Sequence, residues 1–198
     1  MKKVTITALT IMLLIACKKD TKEPGSDAMM QSGPASKANT GKETATRPMK
    51  VVLYSSVNSS SPTLTCTLPG VPFGIANSGY FLHGYATHLG VINSESSMGQ
   101  DGSCNLSGST FILTTTTAGQ IVGANGDMIT YTGDDEIDLN NIIFNGGTTA
   151  TITGLWTITG GTGKFVGATG SFQISGIVDV AAAGGPTFSI TGEGTITY

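Results

Sequence analysis

The C-terminal segment from Thr187 to Tyr198 alternates strictly. Phe188, Ile190, Gly192, Gly194, Ile196 and Tyr198 fall on one face, and Thr187, Ser189, Thr191, Glu193, Thr195 and Thr197 on the other. A period of two is the geometry of a strand with one face buried, and a helix cannot accommodate it. Phe172, Ile174, Gly176, Val178 and Val180 repeat the pattern. So do Ile152, Gly154, Trp156 and Ile158, set against Thr151, Thr153, Thr157 and Thr159. Interior glycines let strongly curved strands bend. Reversals are expected at Asn125-Gly126, Asn145-Gly146-Gly147, Gly160-Gly161 and Gly184-Gly185-Pro186.

About eight strands are expected, beginning near Met49, Tyr80, Thr110, Asp127, Ile137, Thr149, Ser171 and Thr187. The fold class is all-β, and successive hairpins without a helical interval point to an antiparallel up-and-down eight-stranded β-barrel, with a β-sandwich as the alternative. The 28 glycines and the 12% share of charged residues agree with short, turn-rich strands rather than an amphipathic helical bundle.

The N-terminus has a different texture. Lys2 and Lys3 precede an uncharged, largely apolar run, Val4 to Ile15, which ends in Leu14-Ile15-Ala16-Cys17. The run holds about a dozen residues, where a membrane-spanning helix needs about 20, so it is expected to be an export signal covering residues 1–16. The tetrapeptide resembles the lipobox of bacterial lipoproteins. That resemblance implies lipidation of Cys17, a partnership with membrane lipid, and a place in the cell envelope. Lys18, where inner-membrane retention would want Asp, implies the outer membrane. Residues 17–48 hold no aromatic residue and show no apolar periodicity, so they are expected to be a lipidated, disordered tether. The barrel domain is then 49–198.

From Met49 onward only Lys50 and Lys164 are cationic, against nine Asp and Glu. A domain that acidic repels phosphate backbones, so nucleic acid is excluded as a partner. The segment GGTGKFVGATG, Gly160 to Gly170, with the SFQISG that follows, resembles the signature of the allene oxide cyclase and dirigent superfamily, whose members are eight-stranded barrels. ATHLG at Ala86 to Gly90 and NGD at Asn125 to Asp127 are similar to bacterial secreted proteins of that barrel type. The resemblance implies the fold, with Phe165 and Ala168 tucked into a barrel end. It implies no catalytic residue, because no catalytic position of the family is matched. A phosphate cradle at GGTGK would need a following helix, and none is written there.

Cys66 and Cys104 are the cysteines left once Cys17 is lipidated, and in an exported domain they are expected to form a disulfide, the alternative being two buried thiols. His83 and His88, five apart in GYFLHGYATHLG, point to opposite faces if both lie on a strand, and so do not share a metal. His88, His83 and Trp156 are the candidate ligand-binding residues. Each histidine is weighed against the blander role of a hydrogen-bonded structural group. Asp134, Asp135, Glu136 and Asp138 read as a solvated turn, since they lack the spaced ligands of an EF-hand. No metal and no cofactor is expected. The functional expectation is a membrane-anchored barrel that binds a small apolar ligand or serves as a structural or interaction module of the envelope. The alternative is a cyclase- or lyase-like enzyme acting on a lipid-derived or phenolic substrate.

Overall fold

The computed structural model describes residues 44–68, 71–75 and 78–198, with side chains described for 44–66 and 78–198. The expected signal 1–16, Cys17 and the tether up to residue 43 lie outside the described residues.

The strands are β1 (Thr46–Val57), β2 (Leu64–Leu68), β3 (Val71–Ile75), β4 (Gly79–Ala86), β5 (Gly90–Val91), β6 (Met98–Leu106), β7 (Ile112–Val122), β8 (Met128–Asp138), β9 (Thr149–Gly161), β10 (Thr169–Asp179) and β11 (Thr187–Thr197). A short helix, α1 (Asn140–Asn145), joins β8 to β9, and a 3-10 turn at Gly163–Phe165 joins β9 to β10. The main sheet runs β1-β11-β10-β9-β8-β7-β6-β4, all antiparallel, and β1 also pairs with β4, from Val51↔Ala86 to Val57↔Tyr80. That last pairing closes eight strands into a ring and decides for a barrel over a sandwich. A closed ring leaves no long edge whose N–H and C=O groups would recruit another chain. β2 and β3 form a separate hairpin.

Seven of the eight expected strands begin within a few residues of their predicted starts. The eighth is corrected: β8 runs unbroken through Ile137, and the missing strand is β6. Its sequence, MGQDGSCNL, has no apolar alternation to announce it, because its inward positions hold Gly99, Asp101 and Cys104. The acidic group is corrected too. Asp134, Asp135, Glu136 and Asp138 are not a turn but the second half of β8, where Asp134 and Glu136 face solvent and Asp135 faces the interior.

One barrel end is packed shut. Ile121, Ile129, Ile158 and Ile196 are buried there with Phe165 and Ala168 from the glycine-rich connection, and Phe165 meets Tyr198 edge-on at 4.8 Å between ring centres. The resemblance implied this plug. The turn needs positive φ at Gly163 (60°) and Gly167 (75°), which glycine adopts at no steric cost. Each buried side chain of this size stabilises by about 1.5–3 kcal/mol. Cys66 and Cys104 are bonded as a disulfide, which pins the β2–β3 hairpin to β6 across a sequence separation of 38.

Candidate functional site

The opposite end, where β1, β6, β8 and β10 finish, holds a cavity of about 90 Å³. Leu113, Ile137, Leu139, Ile152, Val178 and Phe188 make most of its wall, and Val180 and Pro186 of the β10–β11 connection reach it from one side. One water needs roughly 10–15 Å³ of such space, so the cavity accommodates a small cluster of waters or one ring-sized group.

Its polar lining is unusual for an apolar chamber: Asp101 from β6 and Asp135 from β8 both open onto it. A bulge in β6 between Asp101 and Ser103 resets the register, so that Asp101 sits opposite Thr117 and Cys104 opposite Thr115. The extra residue keeps both side chains facing inward, which two residues three apart on a regular strand cannot do. The Asp101 amide donates to the Ser78 carbonyl at 2.9 Å, fixing the bulge to the loop before β4.

Asp135 is 4% exposed. Its Oδ1 accepts the indole N–H of Trp156 at 2.9 Å. Trp156, itself buried, is stacked on Tyr131 with ring centres 4.3 Å apart and an interplanar angle of 5°. Two glycines make room for this arrangement. A side chain at Gly133, the cross-strand partner of Trp156, would run into the indole, and one at Gly154, the partner of Asp135, would run into the carboxylate. The Tyr80 hydroxyl is 2.5 Å from Thr117 Oγ1 and 3.4 Å from the Tyr131 hydroxyl.

Burial in this chamber penalises charge. Desolvation, reinforced by the Asp135 charge, pushes the Asp101 carboxyl up to about 7. Desolvation also raises Asp135, to about 6, with the Trp156 N–H opposing the rise and the neighbouring Asp134 charge adding to it. Tyr80 and Tyr131 are raised by the same burial and stay neutral throughout the physiological range. The chamber therefore presents two carboxyl groups poised to exchange protons near neutrality, held by aromatic neighbours that do not titrate there.

The candidate residues named from sequence divide. Trp156 lies in the cavity wall. His83 stands exposed on the outside of β4, its ring 5.6 Å from that of Tyr54. His88 lies just beyond β4, in a left-handed conformation (φ 72°), with Nε2 2.9 Å from the Pro48 carbonyl oxygen. Neither histidine is brought to the cavity: one occupies an outward strand position and the other a turn at the closed end. Asp101 and Asp135 escaped sequence reasoning. An inward Asp135 was legible from its alternation with Ile137 and Tyr131, but Asp101 depends on a bulge that the sequence does not signal. Among the described residues, no three His, Cys, Asp or Glu side chains converge as a metal site.

No family model and no curated protein matches the sequence. Among solved structures, the chain is similar to a pterocarpan synthase dirigent protein, with 14% sequence identity and a TM-score of 0.38 over 80% of this chain and 88% of that one.

Proposed function

We propose that this chain is an exported, lipid-anchored protein of the outer membrane whose barrel takes up a small, mainly apolar molecule through its open end. The observation that carries the reading is the pair of carboxyl groups facing an unfilled apolar chamber. A barrel serving only as a scaffold gains by filling that volume, since empty core space costs about 24 cal/mol per Å³. It also gains by replacing buried acids with apolar side chains. Retaining both the space and the acids is the pattern of a binding site. The aliphatic wall would hold the body of the ligand, and Asp101 and Asp135 its polar group. The anchor part of the reading rests on the lipobox-like Leu14-Ile15-Ala16-Cys17 and on Lys18.

The test is native mass spectrometry of the full chain after incubation with a cell-envelope lipid extract. A retained small molecule is expected, and it should be absent from Val178→Phe, which fills the cavity from β10. Bare protein mass in both samples would overturn the reading.

A second reading, a lyase- or cyclase-like enzyme acting on a lipid-derived or phenolic substrate, is favoured by one feature. Asp101, with its carboxyl near 7, is suited to give and recover a proton at neutral pH. Conversion of the retained molecule by the wild-type chain, but not by Asp101→Asn, would select it.

A further inference from the structure

Building on the proposed pocket, we infer that its ligand carries a positively charged amine seated at the carboxyl groups of Asp101 and Asp135. The hydrogen bonds already made around the cavity lead to this conclusion. Ser55 Oγ accepts the Phe188 amide at 2.7 Å, Ser78 Oγ donates to the Pro62 carbonyl at 2.9 Å, and the Tyr80 hydroxyl is engaged with Thr117. The indole N–H of Trp156 is taken by Asp135 Oδ1. Among the described residues, neither oxygen of Asp101 has a side-chain hydrogen-bond partner, and Asp135 Oδ2 has none either. The Thr115 and Thr187 hydroxyls also line the cavity, but they are neutral and can donate or accept, so among the described residues the charge-bearing groups of the chamber with oxygens left to satisfy are acidic. A carboxylate or phosphate head group would meet like charge with no cation to receive it, whereas an ammonium group satisfies oxygens on both acids.

The charge distribution of the barrel agrees. The three Lys and Arg of the described residues, Arg47, Lys50 and Lys164, all lie toward the closed end. Two of them are neutralised there, Lys50 by Glu193 at 2.7 Å and Lys164 by Asp127 at 4.0 Å. The stretches of β8 and β10 nearer the open end carry Asp134, Asp135, Glu136 and Asp138 on β8 and Asp179 at the end of β10, with no Lys or Arg on either strand. A cleft with one sign of charge around its mouth concentrates ligands of the opposite sign and speeds their arrival.

A bound ammonium group would hold both carboxyls ionised, so binding expels protons and tightens as pH rises. The titratable groups lining the site are Asp101 from β6, Asp135 from β8 and Tyr80 from β4, with Tyr131 beside Tyr80 and Trp156 and with Asp134 next to Asp135 on the outer face of β8. Both tyrosines are pushed upward and stay neutral, which leaves the pH dependence to the two acids.

The test uses three compounds of one shape on the full chain: 2-phenylethylamine, 2-phenylethanol and phenylacetate, titrated by calorimetry at low salt between pH 5.5 and 8. The amine is expected to bind about tenfold or more tighter than the alcohol at pH 8, with the advantage shrinking toward pH 5.5 and in Asp101→Asn. Phenylacetate is expected to bind weakest. The wild-type ratio and its pH trend decide the matter even if the variant folds poorly. Equal binding of amine and alcohol would overturn the charge assignment and leave the pocket reading in place. Binding of none of the three would overturn both.

Discussion

Replacing Asp101 by Asn should stabilise the protein, and only above a definite pH. The carboxyl titrates near 3.8 in an unfolded chain and near 7 in the barrel. Each pH unit between the two titrations corresponds to about 1.36 kcal/mol, so burying the ionised group costs the native state up to about 4 kcal/mol at pH 8. The sign follows from proton binding. Below pH 3.8 both states hold the proton and the group has no effect. Between 3.8 and 7 the unfolded chain loses it while the barrel keeps it, so stability falls as pH rises. Above 7 the penalty is constant. Asn keeps the shape and never ionises. Relative to wild type, Asp101→Asn should therefore gain about 2–4 kcal/mol between pH 4 and pH 8, whatever fixed cost its amide brings at both. Urea unfolding of the full chain reads this directly, with Trp156, the single tryptophan, as the fluorescent reporter. A difference between variant and wild type that stays flat from pH 4 to 8 would refute the reasoning.

Breaking the Cys66–Cys104 bond by double Ser substitution releases a loop of 38 residues, and the chain-entropy model places the loss near 4 kcal/mol. Thermal unfolding with and without reductant should show wild type falling by roughly 10 °C or more, and the double variant unmoved. Gly133→Ala drives a methyl group into the Trp156 indole. A loss of about 1–3 kcal/mol is expected, with a shift in tryptophan emission as the stack on Tyr131 opens. Trp156→Phe removes the donor to Asp135 Oδ1 and should raise that carboxyl further, so its destabilisation should be larger at pH 8 than at pH 5 in paired urea titrations. Cys17→Ser should move the protein from the membrane to the soluble fraction on cell fractionation; continued membrane association would refute the anchor.

Much of the barrel was written locally. The alternation in β9, β10 and β11 is carried by large apolar residues facing Thr and Ser, and the Asn125-Gly126 turn sets the β7–β8 hairpin, with Gly126 at φ 85°. β6 and the chamber were not legible, for one shared reason. An inward Gly or Asp carries no apolar signal of its own: Gly99 and Asp101 leave β6 unannounced, while Gly133, Asp135 and Gly154 are placed only by the alternation around them. What makes them a site is their convergence across β6, β8 and β9. Reading the acidic run as a solvated loop followed from composition, which is blind to the fact that on a strand alternate members of a charged run face opposite sides.

The sequence alone determined that the folded region is all-β and where most of its strands turn, because each of these is set by neighbours along the chain. Closure of the sheet, through β1 on β4, depends on contacts between distant parts of the chain, as does the plugging of one end by Phe165 while the other keeps a space. The same long-range packing turns two acids rather than the two histidines toward that space. Ring closure and the β6 bulge bring together residues 34 positions apart in the chain, from Asp101 to Asp135. Burial in that shared chamber, a property of neither residue alone, is what shifts their chemistry.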